Sequence, residues 1–454
     1  MGEPGLADVV AYHRAGFAKA AASWREYRAR TDALNESGRF VTFPSWEWHS
    51  LRHGDHCIYY RGAGGEIVPA ATIEQLRTAL RVVERQGTRA FLIPHHIGYR
   101  QGWRGINWAD WTPEFSPVVE IFSMHGASES DSAPYAYLHT MGPRDSGSTY
   151  HAGLHRGSVV GAIGSTDHHS AHPGSHGYGR LAVWATELTR EALWEAIAVR
   201  RTYALTGDRI TLRFALNGAA MGALIPATPE RTIDVAVEGG DALDAIELLC
   251  NGAVIRRWNP PLDGAQRGER EVRVALELGW GAVDREQEWS VDLAIEGGAL
   301  RGIEPRFRGH VVVAPQEQEW QRYAFSAWDQ PAPERVRCTT RTFGNPTVRT
   351  PATQGICLTL AGDGQTAIVA TINGRQVRVT LDELARGGVS GNLGGFLSAA
   401  YHFHRAVDRA ACRGASTHTH RAATPGRDWY TVRVRQRNEQ WAWSSPIWVA
   451  AAGH

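Results

Sequence analysis

A chain of 454 residues, 43% hydrophobic and 21% charged, has ordinary globular composition and enough length for two to three domains. Its formal net charge of +1, in which Lys19 is the only lysine, argues against a nucleic-acid duplex or an anionic membrane as partner. No apolar run reaches the length of a bilayer span, and the opening MGEPGLADVVAYHRAGF lacks the pattern of a secretion signal, so cytoplasmic residence is the expectation.

In chain order, GRFVTFPSW (38–46) reads as an apolar strand running into Glu47, and DHCIYYRG (55–62) as a strand whose start supplies His56. TIEQLRTALRVVERQG (72–87) places Ile73, Leu76, Leu80 and Val83 at helical spacing and ends on Gly87. RAFLIPHH (89–96), SPVVEIFSMHG (116–126) and GSVVGAIGSTDHH (157–169) have the unbroken apolar character of buried strands. LTREALWEAIAVRR (188–201) reads as an amphipathic helix with Thr189 as N-cap. Strands alternating with helices predict a mainly parallel sheet or barrel.

Beyond Gly207 the texture changes to short alternating strands between Gly, Asn and Pro turns, as in RITLRFALNG (209–218) and RTIDVAVEG (231–239). That pattern, resumed in DWYTVRVRQRNEQWAWSSPIWVA (428–450), predicts an antiparallel β-sandwich. TLDELARGG (380–388) and LGGFLSAAYHFHRAVDRAA (393–411) read as helices. The expected division is therefore a domain over 1–207 and a sandwich over 208–454 with a helical insertion near 380–412.

Cys57, Cys250, Cys338, Cys357 and Cys412 are scattered, odd in number and without CxxC spacing, which argues against a disulfide framework or a cysteine-held zinc. Histidine is distributed unevenly: fourteen of the twenty lie at or before His176. Ligand-type residues fall where strands end, with Glu47 after FVTFPSW, His95 and His96 after FLIP, Glu120 within VVEIFS, and Asp167 and His169 after VVGAIGST. Strand ends at one mouth of an α/β barrel converge, and Asp, Glu and His suit Zn, Mn or Fe. Asp167 and His169 lie two apart, so an extended strand end points both to one side. A lone Asp-x-His is more often a hydrogen-bonded loop; its repetition across several strand ends is what favours a metal site.

The segments SWEWHSLRHGDHCIYY, LIPHH, VVEIFSMHG, GSTDHHSAHPG, LTREALWEAIAVRRTYALTGDRI and WYTVRVRQRNEQWAWSSPIWV resemble the polymerase and histidinol phosphatase (PHP) superfamily, in a branch with a C-terminal β domain. The resemblance implies a distorted, seven-stranded βα barrel, with up to three divalent metals that hydrolyse phosphate esters through activated water. It makes Glu47 a bridging carboxylate, with His56 and His95 sharing its metal and Asp167 and His169 as the closing pair; His96 is the alternative to His95. The family opens with His-x-His and Thr-Asp-His strands, which this chain lacks, so the resemblance implies a barrel truncated at its N-terminus and a site of one metal in this chain.

Glu120 is read as an acceptor that orients a ligand histidine, or as a further ligand. His125, His172 and His176 are candidates for phosphate binding or general-acid work, against the blander reading of solvated loop histidines. Arg180, Arg200 and Arg201 are candidate anion clamps, against ordinary surface ion pairs. Trp46, Trp48, Trp103, Trp108 and Trp111 suggest an aromatic wall over a pocket or a packed loop. His49, His53 and the histidines of YHFHR and THTHR are read as incidental. The expected activity is metal-dependent hydrolysis of a small-molecule, sugar or nucleotide phosphate ester. The alternatives are an amide- or lactone-cleaving metal hydrolase, and a non-catalytic barrel remnant whose β domain binds a ligand.

Overall fold

The computed structural model describes residues 6–138, 141–168, 174–260, 270–282, 285–309, 326–343, 353–395, 397–422 and 427–450. The expected βα barrel does not form: the chain is mostly β, built of several sheets, and no barrel closes among the described residues. After a long helix α1 (Leu6–Ala33), strands β1 (Ser45–Trp48), β2 (His56–Tyr60) and β3 (Ala90–Pro94) make a small antiparallel sheet. Two local facts dictate this. The seven residues between β1 and β2 permit a hairpin, whereas a parallel pairing needs a crossover of a dozen or more. Between β2 and β3, helix α2 (Ile73–Arg85) is no crossover: the loop before it uses up the outward length, and the helix returns the chain to the end it left, where Tyr60 faces Ala90.

The expected apolar face of α2 is present. Thr72 caps it by accepting from the Gln75 N–H, and Ile73, Leu76, Leu80 and Val83 are buried against the small sheet. Strand β4 (Val118–Ser123) leads through the short β5 (Gly126–Ala127) and helix α3 (Tyr150–His155) to β6 (Gly161–Gly164), which pairs parallel with β4. This is the one stretch of the first half with the connectivity that alternating strands and helices predict. β7 (Arg180–Val183), helix α4 (Arg190–Ala198) with its Thr189 cap, and β8 (Thr202–Leu205) follow, and β7 pairs antiparallel with β8.

The texture change at residue 207 does not separate sheets. β8 pairs with Trp441–Ser444, so β7 and β8 extend a sheet whose other members include Leu243–Cys250, Asp428–Gln436 and Ile447–Ala450. A second sheet holds Thr211–Leu216, Glu230–Glu238 and Arg413–Arg421. The two share one core, in which Phe214 and Val235 meet Leu248, Val432 and Ile447, so a sandwich is present. The described residues between 270 and 408 depart from it as an inserted sheet with its own core around Val274, Leu293, Leu358 and Ile368. Of the helical insertion expected near 380–412, Leu381–Arg386 is an α-helix with a capping box at Thr380. The rest supplies strands Val389–Asn392, Ala400–Phe403 and Val407–Asp408 and a 3-10 turn. There Phe403 is buried opposite Leu276, and tertiary pairing overrides the helical propensity of an Ala-rich run.

The outer face of the larger sandwich sheet is floored by Trp429, Trp441, Trp443 and Trp448, which pack on Ile121, Phe122, Val160 and Ala162 of the β4–β6 layer. Within this layer Arg433 donates to Glu129 at 2.9 Å and to Glu247 at 2.7 Å, and the Trp443 indole donates to Glu129 at 3.1 Å. Burial pushes the Glu129 carboxyl up despite the guanidinium beside it. Removing one partner of such a pair strands the other charge in the interior. Arg433→Met should therefore lower unfolding free energy in urea by about 3–5 kcal/mol, with the Glu129→Leu/Arg433→Met double variant recovering part of it; a loss for Arg433→Met no larger than for an exposed arginine would show that the pair is not what holds the layers.

Candidate functional site

The ends of β3, β4 and β6 and the β1–β2 hairpin bring Glu47, His49, Asp55, His95, His96, Glu120, His125 and Asp167 together. Glu120 is the inner anchor. It is buried on β4, where the register against β6 shifts between Glu120 and Phe122. Its Oε2 accepts from His95 Nδ1 at 2.8 Å and from the Ser165 hydroxyl, and its Oε1 accepts from the His96 N–H at 3.1 Å. With Nδ1 committed, His95 turns Nε2 toward Asp167 Oδ1 at 3.2 Å and Glu47 Oε1 at 3.9 Å. Asp167 Oδ2 lies 2.6 Å from His125 Nε2, and His125 Nδ1 lies 2.5 Å from the Tyr99 hydroxyl.

The hairpin adds a second group. Asp55 is fully buried and accepts from the Ser50 N–H at 2.7 Å; its Oδ2 meets His49 Nδ1 at 3.2 Å and His96 Nε2 at 3.3 Å. Donor atoms of Glu47, His95 and His96 all lie within 4.8 Å of one another, as do those of Glu47, His49 and Asp55. Asp167 (φ +49°), His96 (φ +32°) and Arg104 (φ +69°) at this cluster carry left-handed backbone, which side chains other than glycine rarely adopt. Strain of this kind gathers at functional sites and persists where the surroundings over-determine it.

The charges follow from the contacts. Burial alone would raise the Asp167 carboxyl, but hydrogen bonds from His125 and His95 hold it below the usual carboxylate range. Burial would raise Asp55 too, and His49 and His96 hold it down. Burial opposes charge on His95, yet the Glu120 carboxylate and the bond to Asp167 raise its pKa well above the usual 6.5. Cys57 faces the same side of β2, and burial pushes its thiol up to about 12.

Of the residues expected from the sequence, Glu47, His95 and Asp167 are brought together, and Glu120 holds His95 as an orienting acceptor. His96 joins the cluster beside His95 rather than replacing it. His56 does not join: β1–β2 pairing sets Glu47 opposite Cys57 and Trp48 opposite His56, which puts His56 on the other face. There it is buried, donates through Nδ1 to the Gly54 carbonyl at 2.8 Å, and is held by burial to a pKa of about 4. Asp55 stands where His56 was expected. His169 and His172 lie outside the described residues.

Arg180 lies 3.8 Å from Glu304 on the inserted sheet. Arg200 stacks over Trp448 and donates to the Gly222 carbonyl, and Arg201 is exposed. His176 meets Asp208 at 3.2 Å, and His53 meets Asp110 at 2.8 Å. Trp48 and Trp108 are buried, Trp46 and Trp111 are partly buried, and Trp103 is exposed. His404 of YHFHR, read as incidental, meets the Glu277 carboxylate at 2.8 Å. Sequence reasoning missed His49 and Asp55 as cluster members. The signal was the strand period of two: once Glu47 faces the site, His49 and Asp55 share its side across a hairpin.

A family described as "Protein of unknown function (DUF3604)" matches residues 158–222, which span β6 to β8 and include Asp167. An uncharacterised protein of Chlamydia pneumoniae is 30% identical over 256 residues, covering 52% of this chain and 41% of the relative. An uncharacterised protein of Chlamydia trachomatis is 28% identical over 173 residues, covering 34% and 28%. The chain thus spans less than half the length of these curated relatives. No solved structure matches the chain.

Proposed function

We propose that this cluster is the centre of a metal-dependent hydrolase acting on small phosphate esters. The observation that carries the reading is the approach of the Glu47, His95 and His96 donor atoms to within 4.8 Å of one another, beside the Asp167 carboxylate. The donor set fits a hard-to-borderline divalent cation such as Zn, Mn or Fe, with imidazole and carboxylate and no thiolate. When bound, such a cation would polarise a phosphoryl oxygen and lower the pKa of a water molecule.

The chain's own residues do the rest. Glu120 accepts from His95 Nδ1 and so keeps Nε2 aimed at the cluster, the orienting role a second carboxylate plays beside a ligand histidine. With the Tyr99 hydroxyl donating to Nδ1, His125 carries its proton on Nε2 and donates to Asp167 Oδ2, leaving Oδ1 turned to His95. The four carboxylates Glu47, Asp55, Glu120 and Asp167 would repel an anionic ester, so a cation is a condition for this substrate class, not an accessory.

Metal content and hydrolysis of p-nitrophenyl phosphate, beside a lactone and an anilide, test the reading. Wild-type protein should retain divalent metal and turn over the phosphate ester, and Glu47→Gln and Asp167→Asn should lose both. Glu120→Gln should keep its fold and weaken metal affinity by about 10–100-fold. Unchanged metal content and turnover in Glu47→Gln and Asp167→Asn would overturn the proposal, and turnover of the lactone or anilide alone would replace its substrate class.

The pH dependence has a defined sign. His95 must give up its Nε2 proton to act as a ligand, and its surroundings raise that pKa well above 6.5. Metal affinity should therefore tighten as pH rises, by about tenfold per unit for each proton displaced. Calorimetric titration of chelated protein with Mn in buffers of different ionisation enthalpy should show proton release; an affinity flat between about pH 6 and about pH 8 would exclude His95 as a ligand.

A further inference from the structure

Arg104 is a guanidinium at the rim of the cluster. Its Nε lies 3.4 Å from Asp55 Oδ2, the oxygen that also meets His49 and His96. That carboxylate is already supplied with donors from Ser50, His49 and His96, and 3.4 Å is a loose ion pair rather than a bidentate fork. Among the described residues, the other contact of the guanidinium is Nη1 donating to the Met141 sulfur at 3.2 Å, a weak acceptor. Among the described residues, a group with five donors is thus tied through one long contact and one weak one, with its side chain 30% exposed.

The backbone points the same way. Arg104 holds φ +69°, a conformation glycine adopts without cost, and its N–H donates to the Leu51 carbonyl at 3.2 Å. The loop is clamped on the hairpin: a Cβ on Gly54 would sit 2.9 Å from the Gly105 carbonyl oxygen, and one on Gly105 would collide with the Tyr99 carbonyl. Tight packing therefore forces an arginine into a glycine-type conformation and delivers its guanidinium to the mouth of an acidic cluster.

Resting on the phosphoesterase reading, we propose that Arg104 is the anion-binding residue of this site and that it takes the tetrahedral oxyanion of the substrate. Charge requires such a residue. A phosphoryl group entering beside Glu47, Asp55, Glu120 and Asp167 needs positive charge on the solvent side as well as from a metal. Planar, paired N–H donors match two phosphoryl oxygens, which a lysine ammonium does not. Arg180, Arg200 and Arg201, the arginines first considered for this role, are turned to Glu304, to Trp448 and to solvent.

The test is isothermal titration of the Mn-loaded full chain with inorganic phosphate, in wild type, Arg104→Gln, Arg104→Lys and Arg104→Gly. The glycine variant fits the left-handed backbone without strain, so its effect cannot be laid to misfolding. We expect phosphate Kd to rise about tenfold or more in Arg104→Gln and Arg104→Gly and less in Arg104→Lys, with metal content unchanged in all three. Phosphate affinity within twofold of wild type in Arg104→Gly, or no phosphate binding by wild type, would overturn the inference. Failure of the two readings is separable. Arg104-dependent phosphate binding without turnover of any phosphate ester removes the activity and keeps the anion site, whereas turnover with unchanged KM in Arg104→Gly does the reverse.

Discussion

A buried carboxylate at the end of β4 ties the site together. Glu120 accepts from an imidazole and a backbone N–H at the end of β3 and from a hydroxyl beyond β6. An ionised carboxylate in the interior costs several kcal/mol unless donors meet its oxygens, and here donors from two flanking strand ends do so. Their convergence fixes the rotation of His95, and with it the position of Asp167 and the neighbouring His125. The left-handed backbone at His96 and Asp167 is tolerated because these contacts over-determine it.

The remainder of the molecule holds that layer still. Behind β4 and β6 lies a floor of indoles supplied by the last strands of the chain, and the Ala162 N–H donates to the Ser445 hydroxyl at 2.9 Å across it. The inserted sheet meets the same body at another buried junction, where Asp208 accepts from Gln436 and Asn438 at 2.9 and 2.7 Å and forms an ion pair with Arg306 at 2.9 Å. Both junctions join groups far apart in the sequence, so the layer beneath the site depends on contacts with the last described strands. Among the described residues, no helix is long and apolar enough to cross a membrane.

Much of the local structure was legible in advance. Helix α2 buries the expected apolar face, helix α4 starts at the expected Thr189, and the strands that end at His95 and lead into Asp167 are present because their apolar runs and flanking turns carry the information locally. The sandwich core follows the alternation in its strands. The barrel failed because strand–helix alternation does not encode direction: whether α2 crosses over or comes back depends on how far the preceding loop has already travelled. His56 failed for a related reason. Its place in a strand was right, but its face depended on a register that only the pairing with Glu47 defines.

By itself, then, the order of residues determined helices α2 and α4 and the apolar strands that lead to His95 and Asp167, since these depend on periodicity and caps within a few positions, whereas the segment 393–411, helical by composition, became strands through its partners. Tertiary structure alone decided the path of the connections, the pairing of β8 with the final hairpin, and the exchange of His56 for Asp55 at the cluster. Those outcomes turn on long-range register, where a shift of one residue reverses every side chain on a strand.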